Sequence, residues 1–175
     1  MKADTVYIYT DASFSKAHEL GIIGYASFSG TTQHESVSIA DLGLNISEIK
    51  EGNNIRAELR GAITALRSCP KCERVILYTD CQNIINLPSR REKLESTNFI
   101  SQSKNHPLAN ADLYREFYTL FDQYNPELFW IKGHTSAANY STEINLNRIQ
   151  KNFSYLDKEV RRFLREYIGA TPSGS

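Results

Sequence analysis

Nowhere in the chain does an apolar run approach the roughly 18 residues that a membrane-spanning helix needs. Met1, Lys2, Ala3 and Asp4 lead straight toward a strand instead of a secretory leader, so a cytoplasmic chain with no membrane partner is expected. No sign of charge dominates either: Lys and Arg total 20 against 20 Asp and Glu. That balance leaves no global field to attract nucleic acid, and any such binding must rest on local basic clusters. Cysteines are few and odd in number (Cys69, Cys72 and Cys81), which excludes a disulfide framework. Cys69-Pro70-Lys71-Cys72 has a zinc or redox spacing, but no second pair exists and the motif closes a helix rather than opening one. Reduced thiols at a helix end are the plainer reading. No linker or second domain is visible in the 175 residues, so one domain is expected over residues 1–169, with 170–175 as a disordered tail.

What the chain does contain is a doubled strand ending. Val6-Tyr7-Ile8-Tyr9-Thr10-Asp11 is a β-branched and aromatic run that stops in a carboxylate, and Val75-Ile76-Leu77-Tyr78-Thr79-Asp80 repeats it with the same last three residues. A helical segment lies between them, so the two strands are expected to be parallel neighbours. Equal parity then puts Asp11 and Asp80 on one face at one edge. Two carboxylates there repel unless a cation sits between them, and oxygen-only ligands suit Mg²⁺ or Mn²⁺.

Along the chain, the first strand runs on through Phe14, and Gly21 to Phe28 reads as a second. Gly30-Thr31-Thr32 turns the chain into a third strand reaching about Leu42, in which Val37 and Ile39 alternate with polar neighbours. Gly43 to Gly52 reads as loop, with Asn53 and Asn54 able to cap the next element. Ile55, Leu59, Ile63 and Leu66 recur at helical spacing up to Cys69. Glu58 falls in the first turn of that helix, where an acid is also favoured by the helix dipole alone. A short helix from Cys81 to Leu87 is stopped by Pro88, and the polar stretch to Pro107 reads as an irregular excursion. Ala111 to Tyr124 is helical, Glu127 to Lys132 a strand, and Gly133 to Ala138 a loop. Asn139 to Phe153 carries no assignable pattern. A last helix is expected from Tyr155 to Ile168, on the stripe Leu156, Val160, Phe163, Leu164 and Tyr167, with a frayed tail from Gly169.

The sum is an α/β chain with a five-stranded mixed sheet, antiparallel through strands 1–3 and parallel for strands 4 and 5, flanked by helices. Asp11, Glu58 and Asp80 can converge in that layout. With a fourth acid from the final helix they would hold two divalent ions about 4 Å apart, the arrangement that activates a water and stabilises a leaving oxygen in phosphodiester hydrolysis.

Four segments in order, Tyr9-Thr10-Asp11-Ala12-Ser13, Asn54-Ile55-Arg56-Ala57-Glu58-Leu59, Tyr78-Thr79-Asp80-Cys81-Gln82 and Trp130-Ile131-Lys132-Gly133-His134, strongly resemble the motifs of type 1 ribonuclease H. The likeness spans the chain from Val6 to the last helix. It implies the ribonuclease H-like fold and a monomeric endonuclease that cuts the RNA strand of RNA/DNA hybrids with two Mg²⁺ ions. The products would carry 5′-phosphate and 3′-hydroxyl ends. By the same resemblance Asp11, Glu58 and Asp80 are metal ligands, and His134 assists proton transfer or product departure.

The fourth carboxylate departs from the family's usual pattern, in which it follows the histidine loop closely. Here Asp157 is expected to open the last helix after an insertion, as in a variant branch where a longer loop is normal. Ser154-x-x-Asp157 is equally a capping-box pattern, and Glu143, nearer His134, is a rival ligand. Asn54 and Gln82 match positions that meet 2′-hydroxyls, the group that separates RNA from DNA, and Ser13 stands close by. Ile55 replaces a usual asparagine, and Cys81 a common serine, as a small filler. The family's basic protrusion corresponds to Ser89 to Pro107, but it has no tryptophan here and acids dilute its charge, so weaker hybrid binding is expected.

Other nucleases of this fold match less well. Proofreading exonucleases carry Asp-x-Glu in the first strand where Ser13 stands here, and integrases or transposases need a different third acid. The rival from another class is a catalytically inactive hybrid-binding or interaction module, since fold alone does not fix activity.

Overall fold

The computed structural model describes residues 5–30, 37–50, 52–134, 136, 140 and 144–170. Five strands, β1 (Thr5–Ser15), β2 (Leu20–Gly30), β3 (Asn45–Ile49), β4 (Arg74–Thr79) and β5 (Glu127–Trp130), form one sheet in the order β3-β2-β1-β4-β5. β1, β2 and β3 are antiparallel, while β4 and β5 run parallel to β1, as expected.

Strand parity sorts the core into two layers. Val6 and Ile8 of β1 and Val75 and Leu77 of β4 face helices α1 (Asn54–Arg67) and α4 (Ala111–Tyr124), meeting Leu59, Ile63, Leu113 and Phe117. The alternate residues Tyr7, Tyr9, Ile76 and Tyr78 face the long helix α5 (Ile144–Ala170), meeting Phe153, Leu156 and Val160. Tyr9 and Tyr78 stack with ring centroids 4.8 Å apart, continuing the parallel register Tyr9↔Tyr78 across the two central strands. Each layer removes a contiguous apolar surface from water, the main force holding helices to the sheet.

Four elements differ from expectation. The third strand is Asn45–Ile49, in the stretch that reads as loop, and Ile39–Asp41 is a 3₁₀ turn. Val37 and Ile39 alternate like a strand, but their backbone is satisfied by Asn152 of α5, whose Oδ1 accepts from the Ile39 amide and whose Nδ2 donates to the Val37 carbonyl. Ile39 is thereby plugged into the α5 layer, fully buried. The turn at Thr31 and Thr32 lies outside the described residues.

Pro88 does not end helical structure. The short helix α2 (Gln82–Ile85) closes on Asn86, and Pro88 falls in the first turn of α3 (Leu87–Ser96), where a missing N–H costs nothing. The excursion from Ser89 is therefore helical to Ser96, anchored by buried Leu87 and Leu94.

The final helix begins at Ile144, far ahead of Tyr155, and is 27 residues long. Asp157 thus sits in its interior, and the capping-box reading of Ser154 and Asp157 falls. Gly169 and Ala170, expected to be frayed, belong to its last turn, while 171–175 lie outside the described residues. Glu58 also moves: α1 starts at Asn54, capped by Asn53 Oδ1 accepting from the Arg56 amide at 3.1 Å, and its first turn holds no acid. Stabilisation by the helix dipole cannot account for a carboxylate beyond that turn.

Candidate active site

The site forms where β4 stops and β1 does not. Pairing between them ends at Tyr9↔Tyr78, and β1 runs on to Ser15 with no strand beside it on that side. Asp11, in phase with Tyr7 and Tyr9, and Asp80, in phase with Ile76 and Tyr78, both turn toward the α5 layer. Glu58 comes from α1 on the opposite face. Asp11, Glu58 and Asp80 each offer a carboxylate oxygen within 4.8 Å of the others, and they are the only such group of three among the described residues.

Backbone contacts hold these side chains. The Cys81 amide donates to Thr79 Oγ1 at 3.1 Å, the Ile131 amide to the Thr79 carbonyl at 2.9 Å, and Trp130 Nε1 to the Asp80 carbonyl at 3.1 Å. Asp80 is therefore clamped between β4 and β5. On the other side α1 approaches β1 at Gly61, where a β-carbon would stand 2.9 Å from Thr10 Oγ1. The missing side chain lets Glu58 reach the strand.

Asp157 joins the acids from α5. Gly24, the register partner of Asp11, lies under this helix, and a β-carbon there would meet Val160 Cγ2 at 2.5 Å and Leu156 Cδ1 at 3.2 Å. Only a glycine lets α5 settle close enough to set Asp157 beside Asp11. A cavity of about 310 Å³ is lined by Asp11, Glu58, Asp80 and Asp157, with Ser13, Asn54, Cys81, His134 and Arg161 around them. Gln82 stands outside that lining, at the start of α2.

The electrostatics are those of crowded acids. Burial, followed by the charges of Asp80 and Asp157, raises the Asp11 carboxyl well above its ordinary range; an Ala12 backbone hydrogen bond and the Arg161 charge oppose the shift. Burial, then Asp11 and Asp80, does the same to Glu58. Asp80 is raised by burial and by Asp157, against His134. Asp11 and Glu58 are only 3% and 5% exposed, and Asp11 Oδ2 and Glu58 Oε2 have no hydrogen-bond partner. Buried acceptors without donors are costly, and a divalent cation satisfies both the orphaned oxygens and the repulsion. An all-oxygen donor set of this kind fits Mg²⁺ or Mn²⁺.

His134 follows Gly133 with φ 55°, a left-handed conformation, and its side chain is 66% exposed. Its Nδ1 lies 3.4 Å from Asp157 Oδ2. Arg161 ion-pairs with the same oxygen from four residues along α5. The apolar stripe alone puts Arg161 on an outer side of the helix, although its spacing from Asp157 is the helical pairing distance and is the one signal that could flag it. Glu143, the rival ligand, lies outside the described residues.

Cys69 and Cys72 bring their sulfurs to 3.9 Å, and burial, then Cys72, pushes the Cys69 thiol up to about 12. Among the described residues no third ligand joins them. Cys81 fills space beside Asp80 with its thiol pushed up to about 11, chiefly by burial.

With the geometry in place, comparison with known proteins is direct. The RNase H family model matches residues 3–145, ending in the first turn of α5 and short of Asp157. A ribonuclease H of Orientia tsutsugamushi is 31% identical over 140 residues, 79% of this chain and 76% of its own. A ribonuclease HI of Synechocystis is 26% identical over 165 residues, 91% of this chain and 97% of its own. Among solved structures, LC9-RNase H1, described as a type 1 RNase H with the type 2 active-site motif, superposes with a TM-score of 0.65 at 19% identity, covering 100% of this chain and 77% of that one. The N-terminal RNase H domain of rv2228c from Mycobacterium tuberculosis gives 0.61 at 16% identity, covering 95% and 98%. At such identities the two structures speak for the fold alone.

Proposed function

The chain belongs to the RNase H family and is a ribonuclease H enzyme, and from that premise we propose that it cuts the RNA strand of RNA/DNA hybrids by two-metal-ion catalysis. The family is metal-dependent, and Asp11, Glu58, Asp80 and Asp157 would hold the ions here. The observation that carries the reading is the meeting of three buried carboxylates within 4.8 Å with two of their oxygens unpartnered. Divalent cations, Mg²⁺ or alternatively Mn²⁺, would supply the charge that activates a water and stabilises the departing 3′ oxygen, leaving 5′-phosphate and 3′-hydroxyl ends.

The chain's own residues do the rest. Asp11 on β1, Asp80 just past the end of β4 and Glu58 on α1 give ligands that need little reorganisation, which is where most of the rate advantage of a built site arises. His134 is exposed at the rim and within reach of Asp157, so it can carry a proton to or from the reacting oxygens. Ser13 and Asn54, lining the cavity, and Gln82 beside it would meet the 2′-hydroxyls of the RNA strand in the wide minor groove. Residues 1–169 are read as one working domain, acting as a monomer in the cytoplasm. No helix among the described residues is long and apolar enough to cross a membrane.

The test is cleavage of an end-labelled hybrid in Mg²⁺, beside duplex RNA of the same sequence and beside Asp80→Asn. Cleavage of the hybrid alone, lost in the variant, supports the proposal. Hybrid binding by the intact chain with no Mg²⁺-dependent product would instead identify a non-catalytic hybrid-binding module.

A further inference from the structure

Four acids line the active-site cavity but only one Lys or Arg does so among the described residues, Arg161. Its neighbour Arg162 is held elsewhere, between Glu159 and Glu166. Arg161 instead seats its guanidinium on Asp157 Oδ2, with Asp157's side chain 9% exposed and its own 40%. The other group facing that oxygen is His134 Nδ1 at 3.4 Å. Among the described residues both contacts on the one carboxylate oxygen are thus basic side chains, and a guanidinium there occupies the lone pairs that a cation would use.

We propose that Arg161 is a positioning residue that competes with divalent cations for Asp157 and so sets how tightly the site holds them. The inference rests on the reading of Asp157 as a metal ligand. Two effects of Arg161 act together. It orients the carboxylate through a charge-assisted contact four residues along the same helix, and it places a positive charge beside the position a dication would take. Because the guanidinium is partly exposed it can turn out to solvent when a dication takes over the charge of the buried Asp157 carboxylate. A purely orienting role and a competing role predict opposite signs for metal affinity when the charge is removed, which makes the proposal measurable without hybrid or turnover.

Calorimetric titration of Mn²⁺ and Mg²⁺ into the metal-stripped full chain is the experiment, comparing the parent with Arg161→Met, Arg161→Lys and Asp157→Asn. Arg161→Met is expected to bind the cations more tightly, on the order of three- to tenfold, because a like charge beside the dication is gone. Arg161→Lys keeps the charge and should stay near the parent. Asp157→Asn should bind more weakly. Unchanged or weaker binding by folded Arg161→Met, with Asp157→Asn weakened, overturns the proposal and leaves the ligand reading standing. Unchanged binding by Asp157→Asn removes the ligand reading, and the proposal with it. Should Arg161→Met melt well below the parent, Arg161→Gln carries the same comparison.

Discussion

Gly133 passes so close to Asp80 that a β-carbon on it would stand 2.1 Å from Asp80 Oδ2. The glycine has no special backbone angle; what matters is that the loop leaving β5 shares its space with a carboxylate. The obstructed atom is the far end of a side chain that can turn away. Gly133→Ala should therefore cost little stability, within about 1 kcal/mol, while removing Asp80 from the cation site. The expected result is a melting temperature near the parent's with hybrid cleavage down about a hundredfold, since a ligand displaced by an ångström loses that much. Parent-level cleavage by Gly133→Ala would show that Asp80 is not needed where it now sits.

The crowded acids predict how stability depends on pH without metal. Asp11, Glu58 and Asp80 all have carboxyl pKa values raised in the folded state, mainly by burial and then by one another and Asp157. A raised pKa contributes stability that is complete below the unfolded value and is lost as pH rises through the folded value. In chelator, the melting temperature should fall as pH rises above the ordinary carboxylate range of about 4, and Mg²⁺ should restore it at the upper end. Glu58→Gln should flatten the fall. Asp112, lowered to about 2 by its Arg56 partner, works the other way but only in acid below that window. A metal-free melting temperature that climbs over the same interval would contradict the arrangement.

Gly24 should be intolerant of any side chain, because α5 lies on it. Gly24→Ala meets Val160 Cγ2 at 2.5 Å, so it should destabilise by about 1–3 kcal/mol and move Asp157 outward. Shortening the obstructing residue as well, in Gly24→Ala with Val160→Ala, should recover metal affinity more than it recovers stability. Urea unfolding and calorimetry on the pair separate the two, and additive losses would argue against this contact.

Hybrid binding should depend only shallowly on salt. In the stretch from Ser89 to Pro107 that would meet the nucleic-acid backbone, Arg91 is held by Glu95 and Asp122, while Arg115 of α4 lies over Phe99 of that stretch. Fewer free cations release fewer counterions, so the slope of log affinity against log salt should be small, about −2 to −4. A slope near −8 would mean that these pairs open on binding. Asp122→Asn combined with Glu95→Gln, which removes both partners of Arg91, should steepen it by about one.

Much of this is legible without coordinates. Asp11 and Asp80 close two look-alike runs in phase, and parity with a helical crossover is enough to set them side by side. Glu58 needs only the stripe of α1. The third strand is not, because Val37 and Ile39 alternate as a strand does, while their partner is a side chain more than a hundred residues away, Asn152. The start of α5 is hidden because polar residues such as Asn145, Asn147 and Gln150 dilute its stripe ahead of Phe153. Pro88 reads as a stop because a proline at the first turn and one after the last look alike without the backbone.

By itself the amino-acid order determined four of the five strands, the crossover and the convergence of three carboxylates, since period and parity are local and repeat along the chain. That Asp157 lines the cavity, and what touches it, was decided only in three dimensions. Asp157 reaches the cavity because Gly24 admits α5, and Arg161 and His134 meet its one oxygen from different elements. Contacts between distant segments depend on how closely layers can approach, and no local pattern records that distance.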